Sequence, residues 1–78
     1  MLMAKKYERI RNLREDADLT QAEIGEQINV PQRTYAYYER GERMIPPQVL
    51  IVLAQFHQVS VDYLLGLTDQ KKPYPRKK

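Results

Sequence analysis

The sequence contains no cysteine and a single histidine, which excludes several kinds of site. Without cysteine there is no disulfide bond and no thiolate metal site. One histidine excludes a multi-histidine site, and no Ser-His-Asp or Cys-His catalytic set is found. The three glycines are isolated, so there is no glycine-rich phosphate loop. Asp16 and Asp18 straddle a predicted turn and lack acid–base geometry. We therefore expect no enzyme, no metal and no cofactor.

A long apolar run is also absent, although 42% of the residues are hydrophobic. This predicts a soluble globular chain that does not span a membrane. Its 78 residues suit one domain, which at this size buries about 60% of its unfolded surface. Residues 1–4 are too short for a hydrophobic targeting region, so we expect a cytoplasmic location.

The formal charge of +3 is unevenly distributed. Five of the thirteen Lys and Arg residues lie in residues 70–78, so residues 1–69 carry eight cations against ten acidic residues, a net charge of −2. The pI of about 9.3 is therefore largely a property of the tail. With two prolines and five cations, the tail is predicted to be flexible. We expect it to add salt-sensitive, non-specific affinity for a polyanion.

The segment Thr20–Arg40 predicts two short helices separated by a break. Thr20 and Glu23 form a capping box at the start of the first helix. Asn29, which tolerates a left-handed conformation, ends that helix, and Pro31 suits the first turn of the next. The isolated Gly25 inside the first helix indicates that another backbone segment approaches closely. This pattern is a helix-turn-helix.

In the second of these helices, Tyr35 and Tyr38 share one face. Gln32, Arg33 and Tyr37 fall on the other faces, and these residue types suit base edges and phosphates. The helix therefore has one face for a core and one for a nucleic acid.

These residues strongly resemble the helix-turn-helix of the phage repressor and Cro family, also called the XRE family. The resemblance covers about residues 7–69 and rests on Thr20–Gln21, Gly25, Asn29, Tyr38–Gly41 and Val59–Gly66. It implies an all-α, lambda-repressor-like DNA-binding domain of five short helices. We assign residues 1–69 to this domain, with the helix-turn-helix at about 20–40, and residues 70–78 to the flexible basic tail.

The remaining helices follow from periodicity and capping. The first is predicted from Tyr7 to about Asp16, with Ile10, Leu13 and Ala17 facing inward. The fourth should run from Pro47 to about His57. Ser60 should cap a fifth, which Gly66 ends.

Gln32 and Arg33 are the expected base contacts, because Gln can bridge an adenine and Arg can bind both acceptors of a guanine. The alternative is two solvated residues on an exposed helix. The resemblance adds Tyr37, which could pack on a thymine methyl or bind a phosphate. Otherwise it is an ordinary surface tyrosine.

Contacts with the DNA backbone are expected at three places. At the start of the first motif helix, Gln21 occupies the position where the resemblance implies a phosphate contact, and free N–H groups favour an anion there. The alternative is an ordinary first-turn residue. Thr20, beside it, is also an expected backbone contact. Thr34 could contact phosphate or help to start its helix. Arg40 and Arg43 are expected along the backbone, the alternative being a charged loop.

The resemblance also implies one structural contact, and several residues differ from the family pattern. The resemblance implies a structural ion pair between Arg14 and Glu39. His57 and Gln58 depart from the family pattern, in which an apolar residue precedes Gly or Asn, and His57 is expected to be a partly buried core residue. Val30 and Pro31 replace a polar cap.

The fourth helix contains more apolar residues than one core face needs. We predict a homodimer interface on this surplus, or alternatively a stripe covered within one chain. The predicted interface residues are Val49, Val52, Phe56, Leu65 and Leu67.

The expected function is sequence-specific binding to double-stranded DNA, at a palindromic operator, as a small transcriptional repressor or Cro-like regulator. The alternative is an antitoxin or another protein-interaction module with the same fold. The short basic tail, in which no toxin-binding segment is evident, favours the first function.

Overall fold

Five short helices make up the computed structural model, which describes residues 7–72. They are α1 (Glu8–Asp16), α2 (Gln21–Ile28), α3 (Gln32–Arg40), α4 (Pro47–His57) and α5 (Val61–Leu64). No strand occurs within that range. The predicted all-α class is therefore confirmed, and α2 and α3 form the helix-turn-helix.

Side-chain caps start α2 and α5. Thr20 Oγ1 accepts from the Glu23 N–H at 3.1 Å, and Glu23 Oε1 accepts from the Thr20 N–H at 2.8 Å, which completes the predicted capping box. Ser60 Oγ accepts from the Tyr63 N–H at 3.0 Å. Each cap satisfies N–H groups that the first helical turn leaves without an intrahelical partner.

Left-handed residues end three of the helices. Asn29 (φ 62°) follows α2, Gly41 (φ 74°) follows α3 and Gln58 (φ 57°) follows α4. A left-handed Gln is uncommon, because its Cβ is crowded there. Pro31 was predicted to lie in the first turn of the second motif helix. It is extended (ψ 145°) and immediately precedes α3, so the helix begins one residue later than predicted.

The turn between α2 and α3 depends on the absence of a side chain at Gly25. A Cβ atom there would lie 2.6 Å from the carbonyl oxygen of Val30. Val30 in turn donates its N–H to the Gly25 carbonyl at 2.8 Å. The close backbone approach inferred from the sequence is present, and it sets how near α3 lies to α2.

All five helices contribute to one core. Tyr35, Ile24 and Leu53 are fully buried in it, and the hydroxyl of the buried Tyr7 accepts a hydrogen bond from the Ile45 N–H at 3.3 Å. The complete buried set is Tyr7, Ile10, Ile24, Ile28, Tyr35, Tyr38, Ile45, Leu53, Ala54, Val59 and Leu64. Leu13 packs against this set, as predicted.

Ala17, predicted on the inner face of α1, is exposed. The helix ends at Asp16, and Asp18 is left-handed (φ 59°), so the helical periodicity used for Ala17 no longer applies.

Arg9 attaches the segment after α5 to α1. Its Nη1 donates to the carbonyls of Tyr63 and Thr68, and its Nη2 pairs with Asp69 at 2.8 Å. Ser60 donates its N–H to the carbonyl of Lys71 at 2.8 Å. These contacts continue two residues past the boundary predicted at residue 69. The rest of the predicted tail, residues 73–78, lies outside the described residues.

Candidate nucleic-acid interface

The outward surface of α3 is the candidate interface. Tyr35 and Tyr38 are buried, so the opposite side of α3 is turned away from the core. Gln32 and Arg33 are exposed there, and Tyr37 is half-buried. Arg33 and Tyr37 are four residues apart and share one face of the helix. The structure therefore places Arg33 and Tyr37 on one outward face, with Gln32 exposed at the start of the same helix.

The start of α2 supplies a second group of donors. The Thr20–Glu23 capping box leaves the N–H groups of Gln21 and Ala22, which no helical carbonyl can reach. An anion at this end would also be stabilised by the helix dipole. Thr34 is half-buried in the first turn of α3. Its two predicted roles stay open.

A buried carboxylate connects α1, α2 and α3. Arg14 Nε donates to Glu39 Oε2 at 2.6 Å, and Arg14 Nη2 donates to Glu39 Oε1 at 3.2 Å. Gln21 Nε2 donates to the same Oε1 at 3.1 Å. The Arg14 and Glu39 side chains are only 13% and 2% exposed. These are the two residues expected to pair, and Gln21 is an additional partner.

Arg14 and Glu39 each stabilise the charged form of the other. Burial alone would raise the pKa of Glu39, but hydrogen bonds from Arg14 and Gln21 and the charge of Arg14 outweigh it and lower that pKa. The hydrogen bond to Glu39 raises the pKa of Arg14. Arg14 Nη1 also donates to the Leu19 carbonyl at 2.8 Å, which fixes the connection between α1 and α2.

The Tyr35 hydroxyl lies beside this pair. It has no hydrogen bond of normal geometry within residues 7–72. Burial raises the pKa of this hydroxyl above its ordinary value, and the negative charge of Glu39 raises it further. Tyr35 therefore stays protonated and adds no charge to the network.

The end of α3 carries a cluster of two arginines on one tyrosine ring. The Arg40 and Arg43 guanidinium carbons lie 5.1 Å and 4.5 Å from the centre of the Tyr37 ring. Arg40 also pairs with Glu42 at 3.0 Å. We call Tyr37, Arg40, Glu42 and Arg43 the arginine cluster. Both predicted backbone-contact arginines thus lie on the residue predicted to contact a base.

The predicted dimer residues separate into two groups. Val49 and Leu65 are half-buried against the chain's own core, so they do not belong to an exposed stripe. Val52, Phe56 and Leu67 are 38%, 37% and 72% exposed. Ile51 is 50% exposed but was absent from the prediction.

The exposed face of α4 is apolar and uncharged. Residues 48, 51, 52, 55 and 56 share it by helical spacing, and all five are exposed. Three of them, Ile51, Val52 and Phe56, are large apolar residues, and the other two are glutamines. In a chain with 29% charged residues, such a face is a candidate contact surface.

His57, at the end of α4, is half-buried. Its ring contacts Phe56 edge-on, with centroids 5.1 Å apart. Burial lowers the pKa of this imidazole, so its neutral form is favoured in the folded chain. This agrees with the partly buried core histidine expected from the sequence.

Sequence reasoning missed the roles of Arg9 and Glu42. Arg9 is separated from its partners by 54 to 60 residues, so no local pattern shows the contact. The contact between Glu42 and Arg40 was indicated locally, because only the helix-ending Gly41 separates the two residues.

The described part of the chain contains neither a candidate metal site nor a candidate membrane-spanning helix. Within residues 7–72, no group of three or more His, Cys, Asp and Glu residues could hold a metal ion. No helix in that range is long and apolar enough to cross a membrane.

The fold and the donors on α2 and α3 define a helix-turn-helix domain of the kind found in transcriptional regulators. The helix-turn-helix family model matches residues 10–64, and the chain belongs to this family. The resemblance found in the sequence is thereby confirmed.

Three relatives extend this assignment. The chain is 38% identical over 91% of its length to the uncharacterized HTH-type transcriptional regulator YobD of Bacillus subtilis, covering 63% of that protein. It is 34% identical over 82% of its length to the HTH-type transcriptional regulator ImmR of the same organism, covering 50%. It is 32% identical over 80% of its length to the cryptic phage CTXphi transcriptional repressor RstR of Vibrio cholerae, covering 55%. The chain thus spans half to less than two thirds of the length of these curated relatives. No solved structure matches it.

Proposed function

We propose that the chain binds double-stranded DNA sequence-specifically and acts as a transcriptional repressor of the Cro type. The observation that supports this most directly is the division of α3, whose tyrosines 35 and 38 fill the core while Gln32 and Arg33 face outward. A helix held in this way can enter the major groove with its first residues at the base edges. Binding to DNA also implies a cytoplasmic location.

In this proposal the two ends of the motif bind phosphates. Thr20 and Gln21 at the start of α2 contact one phosphate through side-chain and backbone donors. Arg40 and Arg43 at the end of α3 contact another part of the backbone. Such contacts fix the register of the helix, and Gln32, Arg33 and Tyr37 then select the sequence.

Selection of bound sequences from a random DNA pool tests the function. We expect enrichment of a short motif and then a loss of affinity of about 5- to 150-fold for Arg33→Ala on that motif, the equivalent of about 1–3 kcal/mol. Arg11→Ala, which removes the same charge from an exposed position of α1, is the matched control.

The pattern of loss assigns the role of Arg33. Relaxed preference at one base pair identifies a base contact, whereas an equal loss on all sequences would make Arg33 a phosphate contact. A pool that yields no enriched sequence would contradict sequence-specific binding and would favour a protein-interaction module.

We further propose that the chain binds a palindromic operator as a homodimer. One short helix contacts only a few base pairs, and two copies related by two-fold symmetry contact half-sites about 34 Å apart. The exposed face of α4, with Ile51, Val52 and Phe56, supports a contact between copies. Leu67 lies after α5 and is the remaining exposed member of the predicted interface.

Analytical ultracentrifugation with and without operator tests this contact. Val52→Glu should abolish two-to-one binding or its cooperativity, because it would bury a charge in the contact between the two copies. Asn12→Glu adds the same charge at an exposed position of α1 and should change neither. Non-cooperative binding by the wild type, unchanged in Val52→Glu, would refute the dimer.

A further inference from the structure

Glu42 holds Arg40 by two parallel hydrogen bonds. Arg40 Nε donates to Oε2 at 3.0 Å, and Arg40 Nη2 donates to Oε1 at 3.1 Å. This two-pronged geometry is the one in which a guanidinium binds either a carboxylate or a phosphate. The carboxylate of Glu42 therefore occupies the position on Arg40 that a DNA phosphate would take.

The backbone brings Glu42 to this position. Gly41 is left-handed (φ 74°) and ends α3, and the chain then turns back. The Glu42 N–H donates to the carbonyl of Tyr37 at 3.0 Å, which fixes the residue against the last turn of the helix. The acidic side chain thus lies at the end of α3, beside Arg40, because of the helix-ending turn.

Arg40 is also held by Tyr37, whose ring supports Arg43 as well. Two cations on one ring repel each other, and the negative charge of Glu42 offsets this repulsion. The pair with Glu42 and the contact with the ring therefore fix the guanidinium of Arg40 before any ligand is present. Removing Glu42 frees the charge of Arg40 but leaves its contact with Tyr37.

This pair can exchange partners, unlike Arg14 and Glu39. The Arg40 and Glu42 side chains are 49% and 52% exposed, so water reaches both and the pair is weak. Glu39 is 2% exposed, and no external anion can replace it.

We propose that Glu42 acts as an internal stand-in for phosphate, which DNA must displace from Arg40 on binding. The proposal rests on the proposed function, since it requires that the end of α3 approaches the DNA backbone. Glu42 lowers the affinity for any DNA sequence, because the phosphate gains Arg40 only after the carboxylate has left. Its own charge also repels the backbone. Since phosphate contacts carry no sequence information, the effect is equal on operator and random DNA.

Salt-dependent binding of four variants tests the displacement. Glu42→Gln should tighten binding to operator and to random duplex by about two- to five-fold at low salt, the equivalent of one exposed ion pair. The log–log salt slope should stay nearly unchanged, because Arg40 neutralises the same phosphate in both complexes. A slope steeper by about 0.9 would show that Glu42 keeps Arg40 from the phosphate in the wild type and is not displaced. Glu8→Gln makes the same change of charge at an exposed position of α1 and should give a smaller gain.

The decisive comparison uses Arg40. In the Arg40→Ala background, Glu42→Gln should give no more gain than Glu8→Gln, because no guanidinium remains to be freed. Thermal melting of every variant confirms that it is folded. A gain from Glu42→Gln that persists without Arg40, or that equals the gain from Glu8→Gln in the wild type, would overturn the proposal while leaving DNA binding intact. Failure of the wild type to bind any duplex would instead overturn the proposed function.

Discussion

Replacing Glu39 by alanine is expected to destabilise the fold severely. The change removes a carboxylate that is 2% exposed and leaves Arg14, itself only 13% exposed, with the exposed Glu15 at 3.9 Å as its remaining acidic partner. Breaking a buried pair by removing one partner costs about 3–5 kcal/mol. A chain of this length has a total stability of about 4–12 kcal/mol, so the loss is a large share of it. The melting temperature should fall by about 12 °C or more.

Urea unfolding followed by circular dichroism measures this loss. The double-mutant cycle with Arg14→Ala should show a coupling of about 1–3 kcal/mol, because the two side chains share two hydrogen bonds. Glu26→Ala removes an exposed carboxylate from α2 and should change stability by about 0.5 kcal/mol or less. A cost below about 1 kcal/mol for Glu39→Ala, or strict additivity with Arg14→Ala, would refute the assignment.

The same network predicts an acid sensitivity. The pKa of Glu39 is lowered in the folded chain from an ordinary value of 4.5, so the folded state favours the carboxylate. This contribution is fully present above about pH 4.5 and is lost as the pH falls through the lowered pKa. Stability measured from pH 6 to pH 3 should therefore fall more steeply in the wild type than in Glu39→Gln. Parallel pH profiles would show that Glu39 does not have a lowered pKa.

Three further predictions concern the turn, the segment after α5 and the tail. Gly25→Ala should lower the free energy of unfolding by about 1–3 kcal/mol in thermal melting, because its Cβ would lie 2.6 Å from a backbone oxygen. Gly66→Ala is the control: this residue has φ +78° but open space around it, so the loss should be only about 1 kcal/mol, from backbone strain. Arg9→Ala should expose the amides of residues 68–71 to faster hydrogen exchange while the amides of α2 keep their protection, since Arg9 holds Tyr63, Thr68 and Asp69; uniform exchange across the chain would contradict this. Truncation after Lys72 keeps the hydrogen bond between Ser60 and Lys71. It should reduce the salt slope of DNA binding by about 0.9 for each phosphate that Arg76, Lys77 or Lys78 neutralises. An unchanged slope would show that these residues do not contact DNA.

The parts of the fold set by neighbouring residues were predictable from the sequence. The capping box at Thr20 and the left-handed Asn29 depend on interactions within four residues. The close approach at Gly25 was predictable because a glycine inside a helix has a cost that needs a reason. The outward position of Gln32 and Arg33 followed from the tyrosines, which had to face the core.

Two features were not predictable from the sequence: contacts between residues far apart in the chain, and which face of an apolar helix is buried. Arg9 meets Asp69 only because α1 packs beside α5, which no spacing in the sequence indicates. On α4 the apolar residues occur all round the helix, so periodicity could not choose between faces. Val49 was therefore placed outside and Ile51 overlooked. The structure decides this through Leu53 and Ala54, which are buried and define the inner face.

Glu39 connects the stability of the fold to the geometry of the candidate site. The amide nitrogen of Gln21 has two hydrogens, and one of them is used in the bond to Glu39 Oε1 at 3.1 Å. The second hydrogen remains for an anion at the start of α2, in an orientation that Glu39 has fixed. Because Glu39 belongs to α3, its bond to Gln21 also connects the start of α2 to the helix that carries the exposed Arg33. If Gln21 contacts phosphate, a substitution at Glu39 disturbs the register of α3 on DNA. It should then weaken operator binding even at temperatures where the variant remains fully folded.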